Sequence, residues 1–141
     1  MTPKRVVFLW LPVVLWCLVI FAFSSRPTAV VTEFYLGDFI VKKTAHLAEY
    51  AILYFLLFRA LNNLEFIIHN SELKITKINN QVSWKLGLIM LGLYAMSDEY
   101  HQSFIPGRTA RVRDVFIDLT GGLLCVWFIK RYLTGHRNKL T

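Results

Sequence analysis

At 141 residues, with 55% hydrophobic and 15% aromatic side chains and a mean hydropathy of +0.46, the chain carries more apolar surface than one soluble domain can hide. It reads as a single membrane domain over residues 1–141. A net charge of +7 would suit nucleic acid, but the basic residues mostly flank apolar runs, where they act as topology signals and contacts for anionic lipid. Nucleic acid is therefore set aside as a partner.

Lys4 and Arg5 precede an uncharged run over residues 6–23, which at about 1.5 Å per residue is long enough to cross a bilayer as a helix. Pro12 is a point where it can kink. Ala22-Phe23-Ser24 loosely resembles a signal-peptide cleavage site, but the length of the run and its Trp10 and Trp16 favour a retained first span. Residues 24–41 hold Ser24, Ser25, Pro27 and Gly37 and read as a loop. After Lys42 and Lys43 a second helix is expected over 44–61. His46, Glu49, Tyr50, Leu53 and Leu57 recur there at helical spacing on one face, and polar groups on one face of a membrane helix belong inside the bundle.

Residues 62–83 are the most polar connection and read as a loop with some local helix and no chemistry. A third helix is expected over 82–101, although its wholly apolar stretch, 86–96, is short for a span. Phe104-Ile105-Pro106-Gly107 reads as a turn, with proline fixing one dihedral and glycine tolerating positive φ. A fourth helix follows over 113–133, with Asp114, Asp118, Gly121, Gly122 and Cys125 on one face, where the glycines permit close packing. Cys17 and Cys125 lie inside apolar runs with no metal-type spacing and are read as inert thiols. The expected fold is all-α: an integral membrane bundle of four transmembrane helices at about 6–23, 44–61, 82–101 and 113–133.

Four spans put both termini on one side. With that side cytoplasmic, ten of the sixteen Lys and Arg residues lie inside, leaving Arg26, Lys42, Lys43, Arg108, Arg111 and Arg113 outside. The same threading brings Ser24, Ser25, Lys43, His46, Glu49, Asp98, Glu99, Gln102, Arg108, Asp114 and Asp118 to one membrane face. Five of the nine acidic residues belong to that set, which predicts one polar pocket at the outer leaflet.

These residues carry a resemblance. Lys42-Lys43-Thr44-Ala45-His46-Leu47-Ala48-Glu49-Tyr50-Ala51 is similar to the basic-x-Ala-His-x-x-Glu-Tyr-Ala signature of VanZ-like membrane proteins, with Leu47 where the family commonly has an aromatic. Asp98-Glu99-Tyr100-His101-Gln102 with Phe104-Ile105-Pro106-Gly107-Arg108 resembles the family's Asp-Glu-x-x-Gln-x-Phe-x-Pro-Gly-Arg block. Asp114, Asp118, Gly121 and Gly122 fit the positions that follow it. The resemblance implies a small multi-pass protein of the bacterial cytoplasmic membrane, in a family whose namesake is linked to resistance to the glycopeptide teicoplanin. It does not imply a reaction.

Two chemistries stay open on these residues. In one, Lys43, Gln102, Arg108, Asp114 and Asp118 bind an anionic lipid headgroup, a lipid-linked envelope precursor or a glycopeptide, with the other polar groups ordering the pocket. In the other, His46, Glu49, Asp98 and Glu99 carry acid–base catalysis on a lipid-linked phosphate, Glu49 orienting His46 and Arg108 stabilising developing charge. Arg108 can alternatively form a salt bridge to Asp98, Asp114 or Asp118. His101 is read as a loop or surface residue. Arg111 and Arg113 are read as contacts for headgroups or solvent. No cofactor is expected. Nothing in the spacing is diagnostic of a metal, although Asp114 and Asp118 with Glu49 or Glu99 would make an oxygen-rich set of the kind magnesium, calcium or manganese use.

Overall fold

Long apolar stretches build four α-helices: α1 (Pro3–Ser24), which continues through Pro12, α2 (Tyr35–His69), α3 (Asn80–Gln102) and α4 (Val112–Ile129), the last extended by a π-helical turn over Lys130–Thr134. The computed structural model describes residues 3–27, 35–69, 80–108 and 110–134, and among them there is no strand. The helix expected over 44–61 is longer at both ends, absorbing residues 35–41 and 62–69 that the sequence pattern assigns to connections. Hydropathy marks only the apolar middle of a helix. The residues flanking it, mostly apolar over 35–41 and mixed over 62–69, include no proline, so nothing removes a ladder donor and the backbone helix continues through them. The remainder of those two connections, residues 28–34 and 70–79, lies outside the described residues.

Two segments, Lys4–Ser24 of α1 and Ile40–Asn63 of α2, are long and apolar enough to cross a membrane. Helices α3 and α4 do not meet that description by length and composition alone. Lys85, Asp98 and Glu99 interrupt α3, while Arg113, Asp114 and Asp118 crowd the start of α4.

Helix α2 is the hub and packs against each of the other three. Tyr50, Leu53, Tyr54, Leu57, Ala60 and Leu61 form its buried stripe, at the spacing of one helical face, and meet Leu91 and Ala95 of α3, Ile20 of α1 and Ile129 of α4. Its closest approach is to α4, and Gly121 makes that possible. A methyl group there would collide with the Leu47 carbonyl oxygen, a backbone atom that cannot swing aside. One at Gly122 would strike Leu91. Helix α1 rests on α2 and α3 and, among the described residues, does not pack on α4. Polar ties at its middle include Trp16 Nε1, which donates to the Glu49 carbonyl at 2.9 Å, and the Tyr94 hydroxyl, which donates to the Cys17 carbonyl at 2.6 Å.

The expected turn after α3 is present. Arg108 N–H donates to the Ile105 carbonyl at 3.1 Å across Pro106 and Gly107, with Gly107 at φ 81. Proline second and a positive-φ glycine third is the arrangement of a type II turn.

Candidate functional site

At the end of the bundle where α1 and α3 finish and α4 begins, side chains from all four helices gather, and those of α1, α2 and α3 join one hydrogen-bonded system. Asp98 is its centre. It is 4% exposed, and its Oδ2 accepts from Ser24 Oγ at 2.9 Å, the Tyr50 hydroxyl at 3.1 Å and Gln102 Nε2 at 2.9 Å. One carboxylate oxygen thus ties α1, α2 and α3 together. Asp98 and Gln102 stand one turn apart on α3, which is why Gln102 reaches back to it.

From Gln102 the system runs to Arg108. The glutamine oxygen accepts from Arg108 Nη1 at 2.7 Å, while Nε and Nη2 donate at 3.2 Å to the carbonyls of Arg26 and Phe23. Phe23 stands in the last turn of α1 and Arg26 just beyond it, where backbone acceptors lack helical partners and the helix dipole is negative. The type II turn therefore aims a guanidinium fork at the C-terminus of α1. Among the described residues Arg108 forms no ion pair with Asp98, Asp114 or Asp118, so the salt-bridge alternative gives way to a helix cap.

A second branch starts at the α2–α4 contact. His46 Nδ1 lies 3.3 Å from Asp118 Oδ1, with Asp118 only 1% exposed. The His46 ring stacks on Tyr50, centroids 6.4 Å apart and planes 11° from parallel. Tyr50 in turn donates to Asp98, so the two buried carboxylates are joined through a stacked His–Tyr pair. Nearer the surface, Lys43 Nζ sits 2.7 Å from Asp114 Oδ1, an ion pair out of line for an aligned hydrogen bond. Glu99 is buried, and its Oε1 accepts the Arg111 backbone N–H at 2.6 Å, pinning the loop into α4.

The sequence of this chain matches the VanZ/LLP1 family model over residues 8–133, most of its length. The chain belongs to the VanZ/LLP1 family. No curated protein and no solved structure matches it.

In this VanZ/LLP1 chain every residue singled out from the sequence as a site candidate stands at the same end of the bundle, but their pairing differs from expectation. The partner of His46 is Asp118. Glu49 lies within electrostatic reach of His46, Asp98, Asp118 and Arg108, yet its carboxylate makes no hydrogen bond among the described residues. Lys43 is bound to Asp114 and Arg108 to α1, so neither presents an uncommitted charge. Among the described residues no three of His, Cys, Asp and Glu converge as a metal-ligand group.

His101 corrects the reading of it as a loop or surface residue. It occupies the last turn of α3, half-buried, with Nε2 3.0 Å from Ser25 Oγ and its ring 4.3 Å from that of Phe21. Its partners lie on α1, some 76 positions away in sequence, and no local pattern announces such a contact. Tyr50 was legible only as part of a buried stripe. Its hydroxyl, which couples the two branches, becomes visible once α3 is placed against α2.

Proposed function

We propose that this VanZ/LLP1 protein spans the bacterial cytoplasmic membrane with all four helices, both termini cytoplasmic, and binds the anionic headgroup of a membrane lipid or lipid-linked wall precursor at its polar, outward-facing end. The observation that carries the reading is an inverted distribution of polarity. On α3, Val82, Leu86, Ile89, Leu93, Met96 and Tyr100 are exposed along one face, while Ser83, Asp98 and Glu99 are buried. On α4, Phe116, Leu123, Leu124, Trp127 and Phe128 are exposed while Asp118 is buried. In water such a surface would lose about 25 cal/mol for every Å² of apolar area left wet. In lipid it costs nothing, and the charged groups gain by facing inward. Helices α3 and α4 are too polar to register as spans because their polar residues are the site.

Around the buried carboxylates lies a rim of cations: Arg26, Lys42, Arg111 and Arg113 are exposed at this end. Exposed arginines beside a membrane surface suit phosphate, which a guanidinium grips through paired N–H donors. Native mass spectrometry of the detergent-purified protein with defined lipids tests the reading. Phosphatidylglycerol is expected to bind more tightly than phosphatidylcholine, and the triple variant Lys42→Gln, Arg111→Gln, Arg113→Gln to lose that preference. Equal binding of both lipids by the wild type, or an unchanged preference in the variant, contradicts it.

One observation favours a second reading, a membrane-embedded hydrolase or transferase acting on a lipid-linked phosphate. His46 faces Asp118 through Nδ1 and leaves Nε2 without a hydrogen-bond partner among the described residues, the arrangement of an oriented general base. Catalysis predicts new lipid species on incubation with a phosphate lipid, lost in His46→Ala. A binding protein returns the lipid unchanged. In a susceptible host, a higher teicoplanin tolerance with the wild type than with His46→Ala would connect the site to glycopeptide resistance, and equal tolerance would separate them.

A further inference from the structure

The end of the bundle remote from the buried carboxylates carries a second charged array. Arg59 of α2 lies over the Phe8 ring of α1, its Cζ 5.8 Å from the centroid. Lys130, which follows α4, lies over Trp84 of α3, its Nζ 5.5 Å from the centroid. Phe58, the residue before Arg59, stacks on Trp84 with centroids 4.1 Å apart, so the two cation–ring pairs flank one ring stack. Lys4 and Arg5 stand one turn before Phe8 on the same helix face, and Lys85 and Arg131 adjoin Trp84 and Lys130. All six cations except the half-buried Arg59 are exposed.

Charge sets the sign of a ligand here. Among the described side chains no carboxylate accompanies these cations, since Glu49, Asp98, Glu99, Asp114 and Asp118 all stand at the other end. Glu65 and Glu72, in the sequence between Arg59 and Lys85, are matched in number by Lys74 and Lys77. The rings and the apolar surface beside them set the kind of ligand. Cations laid over aromatic rings at helix ends match the headgroup level of a bilayer, where a long stem covers apolar surface and the charge stays at the polar boundary. Val7, Phe8, Leu86, Trp127 and Phe128 are exposed and continue that surface toward the middle of the helices, which suits acyl chains. The backbone widens into its π-helical turn where Lys130 and Arg131 stand, and such widenings are frequent at functional sites. Finally, the cations fall into two groups of three, one on α1 and α2 and one on α3 and the end of α4, with the Phe58–Trp84 stack between them. One phosphate engages one group, and a headgroup with two phosphates engages both.

We propose that this end of the bundle binds a lipid whose headgroup carries two phosphates, as that of cardiolipin does. One phosphate sits at Lys4, Arg5 and Arg59, the other at Lys85, Lys130 and Arg131, and the acyl chains lie on the exposed apolar faces beside them. In the orientation proposed above this end meets the cytoplasmic leaflet. It shares no cation with the outward headgroup site, so the two sites stand or fall separately.

Native mass spectrometry of the full chain in detergent compares cardiolipin with phosphatidylglycerol, which carries one phosphate. Each basic residue beside an anionic headgroup is worth about fivefold in affinity, so engaging a second group should make cardiolipin bind about tenfold tighter or more. Lys4→Gln with Arg5→Gln, and separately Lys85→Gln with Arg131→Gln, are each expected to remove that advantage. The four substituted residues are exposed, and Arg59 and Lys130 keep their places on the rings. Should a pair fail to fold, the single variants Arg5→Gln and Lys85→Gln are each expected to weaken cardiolipin about fivefold. The rim variant Lys42→Gln, Arg111→Gln, Arg113→Gln is expected to keep the preference for cardiolipin. Inorganic pyrophosphate tests the source of the phosphates and is expected to leave the lipid bound. Displacement by it would make a soluble diphosphate the ligand and overturn the lipid. Equal affinity of the wild type for the two lipids overturns the proposal. So does a preference that survives the loss of either group, or one that only the rim variant abolishes, which would put the two phosphates at the outward end.

Discussion

Replacing Arg108 by lysine keeps the charge and removes the fork. The arginine reaches three acceptors in three directions, Gln102 Oε1, the Phe23 carbonyl and the Arg26 carbonyl. A single ammonium on a flexible stem can keep one of these and cannot span the others. Two lost hydrogen bonds at about 0.5–1.5 kcal/mol each give a cost of about 1–3 kcal/mol. The two carbonyl bonds are solvent-exposed, which favours the lower half of that range. A chain of this size should lose several degrees in Tm. Thermal scanning of tryptophan fluorescence in detergent reads it directly, because Trp10 and Trp16 lie on α1, the helix the arginine caps. Phosphatidylglycerol binding should be nearly unchanged, since the rim cations are untouched. If Arg108→Lys keeps its Tm but loses lipid affinity, Arg108 grips the ligand and the capping role is wrong.

Three further outcomes follow from the packing and the orientation. Gly121→Ala places a methyl group against the Leu47 carbonyl and should cost about 1–3 kcal/mol by overpacking, seen as a lower Tm, whereas a wild-type Tm would mean that α2 and α4 lie farther apart. Tyr50→Phe removes the hydroxyl that joins Asp98 to the stacked pair and should cost about 1–3 kcal/mol by leaving a charged acceptor under-satisfied, again read as Tm; no change would remove Tyr50 from the network. Phe104→Cys, made in a chain with Cys17→Ala and Cys125→Ala, puts a thiol on the exposed turn after α3 and should react with a membrane-impermeant maleimide on intact cells. Labelling only after permeabilisation would reverse the orientation.

The fold was legible where burial and periodicity coincide. The stripe of Tyr50, Leu53 and Leu57 and the small face of Gly121 and Gly122 are local patterns, and the structure buries both. Helix ends were not legible, because hydropathy reports the apolar middle and says nothing of helical backbone continuing through Lys42, Lys43, Asn62 and Asn63. The site shows the same division. That the candidate residues gather at one end of the bundle could be read, since the threading of four successive helices delivers them there. Its pairings could not, because they depend on helix rotation and depth: a small turn of α4 decides whether Asp118 or Glu49 meets His46. Arg108 is the clearest case, since the Pro-Gly turn that rigidifies it was visible while the carbonyls it caps, 82 and 85 positions earlier, carry no side-chain signature.

The headgroup site we propose is built from the buried carboxylates and their cationic rim. Its most direct measurement is the identity of the lipid that stays with the protein through purification from its own membrane, determined by mass spectrometry of the extracted lipid. A phosphate lipid is expected to be enriched over the bulk membrane composition in the wild type and to be lost in the Lys42→Gln, Arg111→Gln, Arg113→Gln variant. Co-purified lipid that matches the bulk membrane in both proteins would contradict it.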